Sequence, residues 1–156
     1  MAKERRRLAV VGLILWGLAS GMVSPVQTAV NGKLRIALHS PFLASMVSFL
    51  IGTLTLIIIT LAIDHRIRIS RRLIKSAPWW LWVGGPLGVI FVTSNILLLP
   101  LLGAALSVVA VLCGQMVMAL VVDHFGWFGV PRHTLNGPRF AGLALMIAGI
   151  LLIQHF

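Results

Sequence analysis

Long uncharged runs constrain this chain more than any other feature. Such runs, each of roughly 17–25 mostly apolar residues, lie at about 8–30, 41–63, 79–99, 103–122 and 140–156. An α-helix of about 20 apolar residues spans the hydrocarbon core of a bilayer. The sequence therefore predicts an all-α integral membrane protein with five transmembrane helices, forming a single transmembrane domain over residues 1–156.

Composition supports the same fold class. Hydrophobic residues make up 59% of the 156 residues, charged residues make up 10%, and the mean hydropathy is +1.03. A soluble domain of this size cannot bury so much apolar surface, whereas a membrane protein exposes it to lipid. The five runs leave no segment for a separate soluble domain.

Serine and proline mark the starts of two runs. Ser40 followed by Pro41 predicts an N-cap and first turn for the second helix, and Ser76 followed by Pro78 predicts the same for the third. A cluster of aromatic rings at a span end is typical of the headgroup level of the membrane. The third run begins with three such rings, Trp79, Trp80 and Trp82.

The third and fourth runs are separated by very few residues. Pro100 and Gly103 predict a tight turn there. Two helices joined in this way form an antiparallel hairpin.

Basic residues are distributed unevenly between the two sides of the predicted membrane. Of the 13 Lys and Arg residues, only Lys33 and Arg35 lie in the segment between the first and second runs. The other eleven fall on the opposite side: Lys3, Arg5, Arg6, Arg7, Arg66, Arg68, Arg71, Arg72, Lys75, Arg132 and Arg139. The positive-inside rule then predicts a cytoplasmic N-terminus and a C-terminus on the opposite side of the membrane. Because these charges lie in short segments beside the runs, they indicate topology and anionic lipid rather than nucleic-acid binding.

The N-terminus also resembles a secretory signal, with a basic start, an apolar stretch and small residues. A cleaved signal is therefore an alternative. The first run is longer than a signal and four more follow it, which favours an uncleaved first helix.

The sequence gives little support for acid–base catalysis or for a metal site. The acidic residues Glu4, Asp64 and Asp123 all lie at run ends or outside them. The pair Asp123 and His124 is the nearest approach to a catalytic dyad, but adjacent helical residues point about 100° apart. We therefore predict no enzyme, no metal and no cofactor.

Polar side chains inside the runs recur at helical spacing. In the first run, Trp16, Ser20, Ser24, Gln27 and Asn31 share one helix face. Similar stripes of small residues follow in the later runs: Ser45, Ser48, Gly52 and Thr55, then Gly84, Gly88, Ser94 and Asn95, then Ser107, Gly114 and Gln115. Small residues at such spacings allow helices to pack closely, and packing accounts for most of them.

Carboxamides demand more than close packing. Leaving their hydrogen-bonding groups unpaired in hydrocarbon costs several kcal/mol. Hydrogen bonds between helices could satisfy them, but four amides together favour a hydrated cavity. We predict a solute-binding cavity lined by Trp16, Ser24, Gln27, Asn31, Ser48, Asn95 and Gln115. Pro25, which frees a backbone carbonyl near Gly21, predicts a hinge at Gly21 and Pro25.

Six blocks of sequence resemble one family over essentially the whole chain. They are PVQTAVNGKL (25–34), SFLIGTL (48–54), PWWLWVGGPLG (78–88), GAALSVVAVLCGQ (103–115), DHFGWFGVPR (123–132) and RFAGLALMIAGILLI (139–153). In order and spacing they resemble the short, five-helix YdcZ-type branch of the drug/metabolite transporter superfamily, found in bacterial inner membranes.

The resemblance implies that this chain corresponds to half of a transporter. Longer members of the superfamily have ten helices, built as two five-helix repeats of opposite orientation, so short members must pair. The family's motifs carry over to Pro25, Gln27 and Asn31, and to Gly114 and Gln115. Related small multidrug exporters use a glutamate in the first helix, but the glutamate nearest that position here is Glu4, before the predicted membrane.

The prediction that follows is a permease subunit for a small neutral, zwitterionic or amphipathic solute, because a cation would lack a counter-charge at mid-membrane. The bilayer and a second five-helix unit are the expected partners. The charge asymmetry favours an inverted, related chain as that unit, and a homodimer is the alternative. A non-transporting scaffold or accessory subunit, in which the polar stripes only pack helices, remains the rival function.

Overall fold

The computed structural model describes residues 2–65, 70–133 and 136–155, and their regular elements are all helical. In chain order these are α1 (Ala2–Leu38), α2 (Pro41–Asp64), α3 (Arg71–Ser76), a 3-10 turn (Trp79–Trp82), α4 (Gly84–Phe125), a second 3-10 turn (Trp127–Gly129) and α5 (Gly137–His155). Arg66 and Arg68, which support the predicted topology, lie outside the described residues, as does Phe156 at the end of the fifth predicted run.

Four helical segments of the described chain are long and apolar enough to cross a membrane. They are Arg7–Leu38, Pro41–Asp64, Trp79–Phe125 and Gly137–His155. Their apolar side chains point outward, and the buried hydrophobic residues are only Ala44, Ile96, Cys113 and Leu120 among those described. A chain that exposes its apolar surface in this way uses lipid as its solvent.

The start of α2 forms as predicted. The Ser40 hydroxyl accepts a hydrogen bond from the backbone N–H of Leu43 at 3.3 Å, and Pro41 occupies the first turn. Only His39 and Ser40 separate α2 from α1, and His39 has a left-handed φ of 52°. Helices α1 and α2 consequently fold back on each other as a packed pair.

Both ends of the predicted first span differ from the structure. Helix α1 begins at Ala2, before the predicted start at Leu8, and it runs through Pro25 without a break. It also continues beyond the predicted end at Val30 to Leu38, so Lys33 and Arg35 lie within its last turns. In these last turns Arg35 has a hydrogen-bond partner on another helix, described below.

The predicted Ser76 cap is wrong. Ser76 is the last residue of α3, and a 3-10 turn without a side-chain cap follows Pro78. Trp79–Trp82 forms this turn, and α-helical structure begins only at Gly84. The Ser-Pro signal succeeds at Ser40 because proline follows serine directly there, whereas Ala77 intervenes after Ser76.

Helix α4 is interrupted at Gly103. Its 42 residues would extend about 63 Å as one straight helix, twice the hydrocarbon thickness. Gly103, with φ 75° and ψ 172°, departs from helical geometry and separates 84–102 from 104–125. Each part has about the length that one membrane crossing needs. Helical structure continues past Pro100, so Gly103 alone makes the predicted break.

The chain divides into two compact units, Met1–Pro100 and Leu101–Phe156. In the first, segment 84–100 contacts both members of the α1–α2 pair. In the second, Asp123 near the end of α4 accepts a hydrogen bond from Arg139 Nη1 of α5 at 3.0 Å. Also in the second unit, in the segment that follows α4, His133 N donates to the Asp123 carbonyl at 3.0 Å.

Candidate functional site

A small groove opens beside Gln27 in the first unit. Its volume is about 250 Å³. It is lined by Gln27 from α1, by Ser48, Phe49, Gly52, Thr53 and Leu56 from α2, and by Val92 from α4. We call this the Gln27 groove. It places two of the predicted cavity residues, Gln27 and Ser48, on one surface.

Asn31 lies one helical turn beyond Gln27 and is almost fully buried, with 5% of its surface exposed. Its Nδ2 donates to Ser48 Oγ at 3.2 Å, which joins α1 to α2. Ser48 therefore serves both the helix pair and the wall of the groove. The predicted residues Gln27, Asn31 and Ser48 form one continuous polar patch.

Asn95 is also buried, with 7% exposed, but its partner lies in its own helix. Its Nδ2 donates to the Phe91 carbonyl at 2.8 Å. The hydrogen bond between α2 and segment 84–100 comes instead from Ser45 and Thr93, whose hydroxyl oxygens are 2.8 Å apart. Asn95 thus meets part of its hydrogen-bonding demand without a ligand.

The two glutamines among the predicted cavity residues behave differently from the two asparagines. Gln27 and Gln115 are both exposed, and neither carboxamide makes a hydrogen bond within the described part of the chain. Gln115 belongs to the second unit. In a membrane such groups must meet water, a solute or another protein chain.

The remaining predicted residues all lie on α1. Trp16 is 75% exposed and sits outside the Gln27 groove. Ser24 is half-buried, and its carbonyl accepts from Thr28 Oγ1 at 3.0 Å. At the proposed hinge, the helix runs through Gly21 and Pro25 without interruption.

One acidic residue, Asp123, contributes to structure. Asp123 is paired with Arg139, and the ring of the neighbouring His124 packs edge-on to Phe125 with 5.0 Å between centroids. In the described ranges, no three His, Cys, Asp or Glu side chains cluster as a metal site would require.

Glycines bring helices together at two places in the first unit. A Cβ on Gly32 would lie 2.9 Å from Leu99 Cδ2, and one on Gly88 would lie 3.2 Å from the Phe49 ring. Gly52 and Gly84 have open space where a Cβ would be. Close packing therefore explains Gly32 and Gly88, whereas Gly52 leaves room within the Gln27 groove.

Sequence reasoning overlooked Thr93 and selected its exposed neighbour Ser94. Adjacent hydroxyls on an apolar helix give no local signal as to which one faces another helix. Thr93 lies three residues before the buried Ile96, and this 3–4 spacing of buried positions is the signal that could have identified it.

Comparison with known proteins identifies the family. Residues 12–152 match the family model described as "Putative inner membrane exporter, YdcZ". The chain belongs to the YdcZ family. A curated member, the inner membrane protein YdcZ of Escherichia coli strain K12, is 26% identical over 138 residues, covering 88% of this chain and 91% of that protein. No solved structure matches the chain significantly.

Family membership confirms the resemblance drawn from the six sequence blocks. The protein is an inner-membrane protein of an exporter family related to the drug/metabolite transporters. That description favours transport of a solute over an enzymatic reaction. The match includes the Gln27 groove and residues 103–115, which carry Gln115.

Proposed function

We propose that this chain is one subunit of an alternating-access exporter, and that the Gln27 groove is its contribution to the solute-binding site. The observation that carries the proposal is the Gln27 carboxamide, which is exposed on an apolar helix and unpaired within the described residues. Such a group is costly against hydrocarbon, and a wetted passage removes that cost.

The groove favours an uncharged or zwitterionic solute. It offers an amide from Gln27 and hydroxyls from Ser48 and Thr53, and its walls are otherwise apolar. A fully charged ion would find no opposite charge there. A small neutral, zwitterionic or amphipathic metabolite can hydrogen-bond to these groups and leave as readily as it enters.

The groove is too small and too open to enclose a solute alone. At about 250 Å³ it lies below the usual range of roughly 300–1,000 Å³ for ligand pockets. We propose that a second five-helix unit completes the site, that Asn31, Asn95, Gln115, Ser24 and Trp16 line the full cavity, and that Gly21 and Pro25 form the hinge.

In this proposal the chain crosses the membrane five times, with the break at Gly103 separating the third and fourth spans as an antiparallel hairpin. The N-terminus is cytoplasmic and the C-terminus periplasmic. Because the basic residues lie mainly on one side, the second unit is an inverted, related chain; a parallel homodimer is the alternative.

One observation favours the rival function of a non-transporting subunit. Asn31 and Asn95 already have hydrogen-bond partners, at Ser48 and Phe91. If these bonds are the main role of the two amides, the polar residues hold the helices together and bind no solute.

Transport by the purified protein with its partner distinguishes the two functions. Vesicles carrying the complex and loaded with a polar metabolite extract would be analysed by mass spectrometry for the compounds that they lose. Gln27→Ala should reduce the rate at which the vesicles lose the transported compound at least tenfold, while the yield of folded protein stays unchanged. Gln154→Ala, at an exposed glutamine of α5, is the matched control.

Two outcomes contradict the proposal. One is a lost yield or lost assembly in Gln27→Ala, which would give the side chain a packing role. The other is unchanged transport by this variant, which would place the solute elsewhere.

A further inference from the structure

A second and larger groove lies near the Leu38 end of α1. Its volume is about 390 Å³, and it is formed between α1 and the last turns of segment 84–100. Its lining residues are Ala29, Gly32, Lys33, Arg35, Ile36, Ile96, Leu99 and Pro100. We call this the Lys33 groove. It shares no lining residue with the Gln27 groove.

Two of the residues that line this groove, Lys33 and Arg35, are cationic. Neither Lys33 nor Arg35 forms an ion pair with any carboxylate of the described residues. The chain has only three acidic residues, Glu4, Asp64 and Asp123, and Asp123 is paired with Arg139. An anion bound at this groove would therefore come from outside this chain.

Arg35 is held in place for this role. Pro100 has no N–H, so the helical hydrogen bond to the Ile96 carbonyl one turn earlier cannot form. Arg35 Nη1 donates to that carbonyl at 3.3 Å. A guanidinium has five N–H donors, so this contact fixes its position and leaves donors for an anion.

The rest of the groove is apolar and open along the helix. Ile36 and Leu99 form its walls, the fully buried Ile96 lies at its base, and Gly32 has no side chain, so Leu99 can approach α1 closely. A ligand that matches this surface carries an acidic head and an alkyl chain.

We propose that the Lys33 groove binds one acidic phospholipid, with the phosphate at Lys33 and Arg35 and an acyl chain along Ile36 and Leu99. Because the protein resides in the inner membrane, phospholipid is in contact with its lipid-facing surface. The proposal is independent of which solute the protein exports.

Native mass spectrometry of the full-length protein in nonionic detergent tests this site. Phosphatidylglycerol should bind at least tenfold more tightly than phosphatidylcholine. Lys33→Gln should weaken phosphatidylglycerol binding about fivefold, which corresponds to roughly 1 kcal/mol per basic residue at a membrane surface. Lys75→Gln, which removes an exposed lysine outside the groove, is the matched control and should change nothing.

Ile36→Trp tests the apolar part, because it fills the groove without changing charge; it should also weaken binding. The proposal is overturned if the two lipids bind equally, if Lys75→Gln weakens binding as much as Lys33→Gln, or if Ile36→Trp has no effect. It is equally overturned if inorganic phosphate or dodecanoate competes as well as the phospholipid, since a free ion or a fatty acid would then be the ligand.

Discussion

At the residue scale, buried hydroxyls connect the helices of the first unit with directional bonds. Ser45 Oγ donates to the Pro41 carbonyl at 3.0 Å and lies 2.8 Å from Thr93 Oγ1. A serine hydroxyl has a single hydrogen, so when both bonds form, Thr93 must be the donor to Ser45. The pair therefore has a defined direction.

Thr93→Val tests that direction. Valine keeps the shape of threonine but cannot donate, and the Ser45 bond to Pro41 survives. We expect the free energy of unfolding in mixed micelles to fall by about 0.6 kcal/mol, the average for hydrogen bonds between membrane helices. Ser94→Ala, which removes the adjacent exposed hydroxyl, is the control. Equal effects of the two substitutions would argue against the bond.

The amides show how far sequence reasoning reaches at this scale. It identified Gln27, Asn31 and Asn95 as side chains that need partners. It could not distinguish Asn95, whose partner is the Phe91 carbonyl of its own helix, from Asn31, whose partner Ser48 lies 17 residues away. The residue type shows that a side chain needs hydrogen-bond partners, and only the packing of the helices shows which partners it has.

At the scale of elements, Gly103 sets the break in α4 through its backbone conformation. Its φ of 75° and ψ of 172° fall in a region that is essentially restricted to glycine, and a Cβ there would meet open space. Any cost of a side chain is therefore conformational rather than steric.

Gly103→Ala should lower the free energy of unfolding by about 1–3 kcal/mol. Gly114→Ala provides the matched control, because Gly114 lies in the same helix with equally open space but helical geometry. Alanine there should stabilise the helix by up to about 1 kcal/mol. Thermal unfolding in detergent measures both. A Gly103→Ala variant as stable as the Gly114→Ala variant would contradict the account.

The contact between Arg35 and the Ile96 carbonyl predicts an energetic coupling between Arg35 and Pro100. Replacing Pro100 by Ala restores a backbone N–H that can bond to that carbonyl. Arg35→Gln should then cost at least 0.5 kcal/mol less in the Pro100→Ala background than in the unchanged protein. A double-mutant cycle on unfolding free energies measures this difference. Additive effects would show that the two residues act separately.

Helix boundaries were predictable where the signal is local. Ser40 and Pro41 located the start of α2, and Gly103 was recognised as a break. The end of α1 was not predictable, because its last turns carry Lys33 and Arg35, and the partner of Arg35 is a carbonyl 61 residues away in the sequence. The Trp79–Trp82 turn was missed because apolar residues alone do not separate 3-10 from α-helical geometry.

At the scale of the whole molecule, charge asymmetry predicts a single orientation. Eleven of the 13 basic residues lie on the predicted cytoplasmic side. Fusions of a fluorescent protein and of alkaline phosphatase to each terminus should report a cytoplasmic N-terminus and a periplasmic C-terminus. Equal populations in both orientations would contradict the asymmetry and would favour an inverted homodimer over a different partner chain.

The central claim is that Gln27 meets a wetted passage, and cysteine accessibility in intact membranes tests it most directly. The natural Cys113 is buried, with 8% exposed, and is first replaced by alanine. In that background Gln27→Cys is compared with Val26→Cys. Val26 is the neighbouring residue, and its side chain is 63% exposed. Exposure to lipid does not support thiolate formation, whereas exposure to water does.

The account predicts that a water-soluble methanethiosulfonate reagent modifies the cysteine at position 27 and spares the one at position 26. Modification of neither position, with both proteins folded and inserted, would contradict it, because Gln27 would then lie in a dry environment.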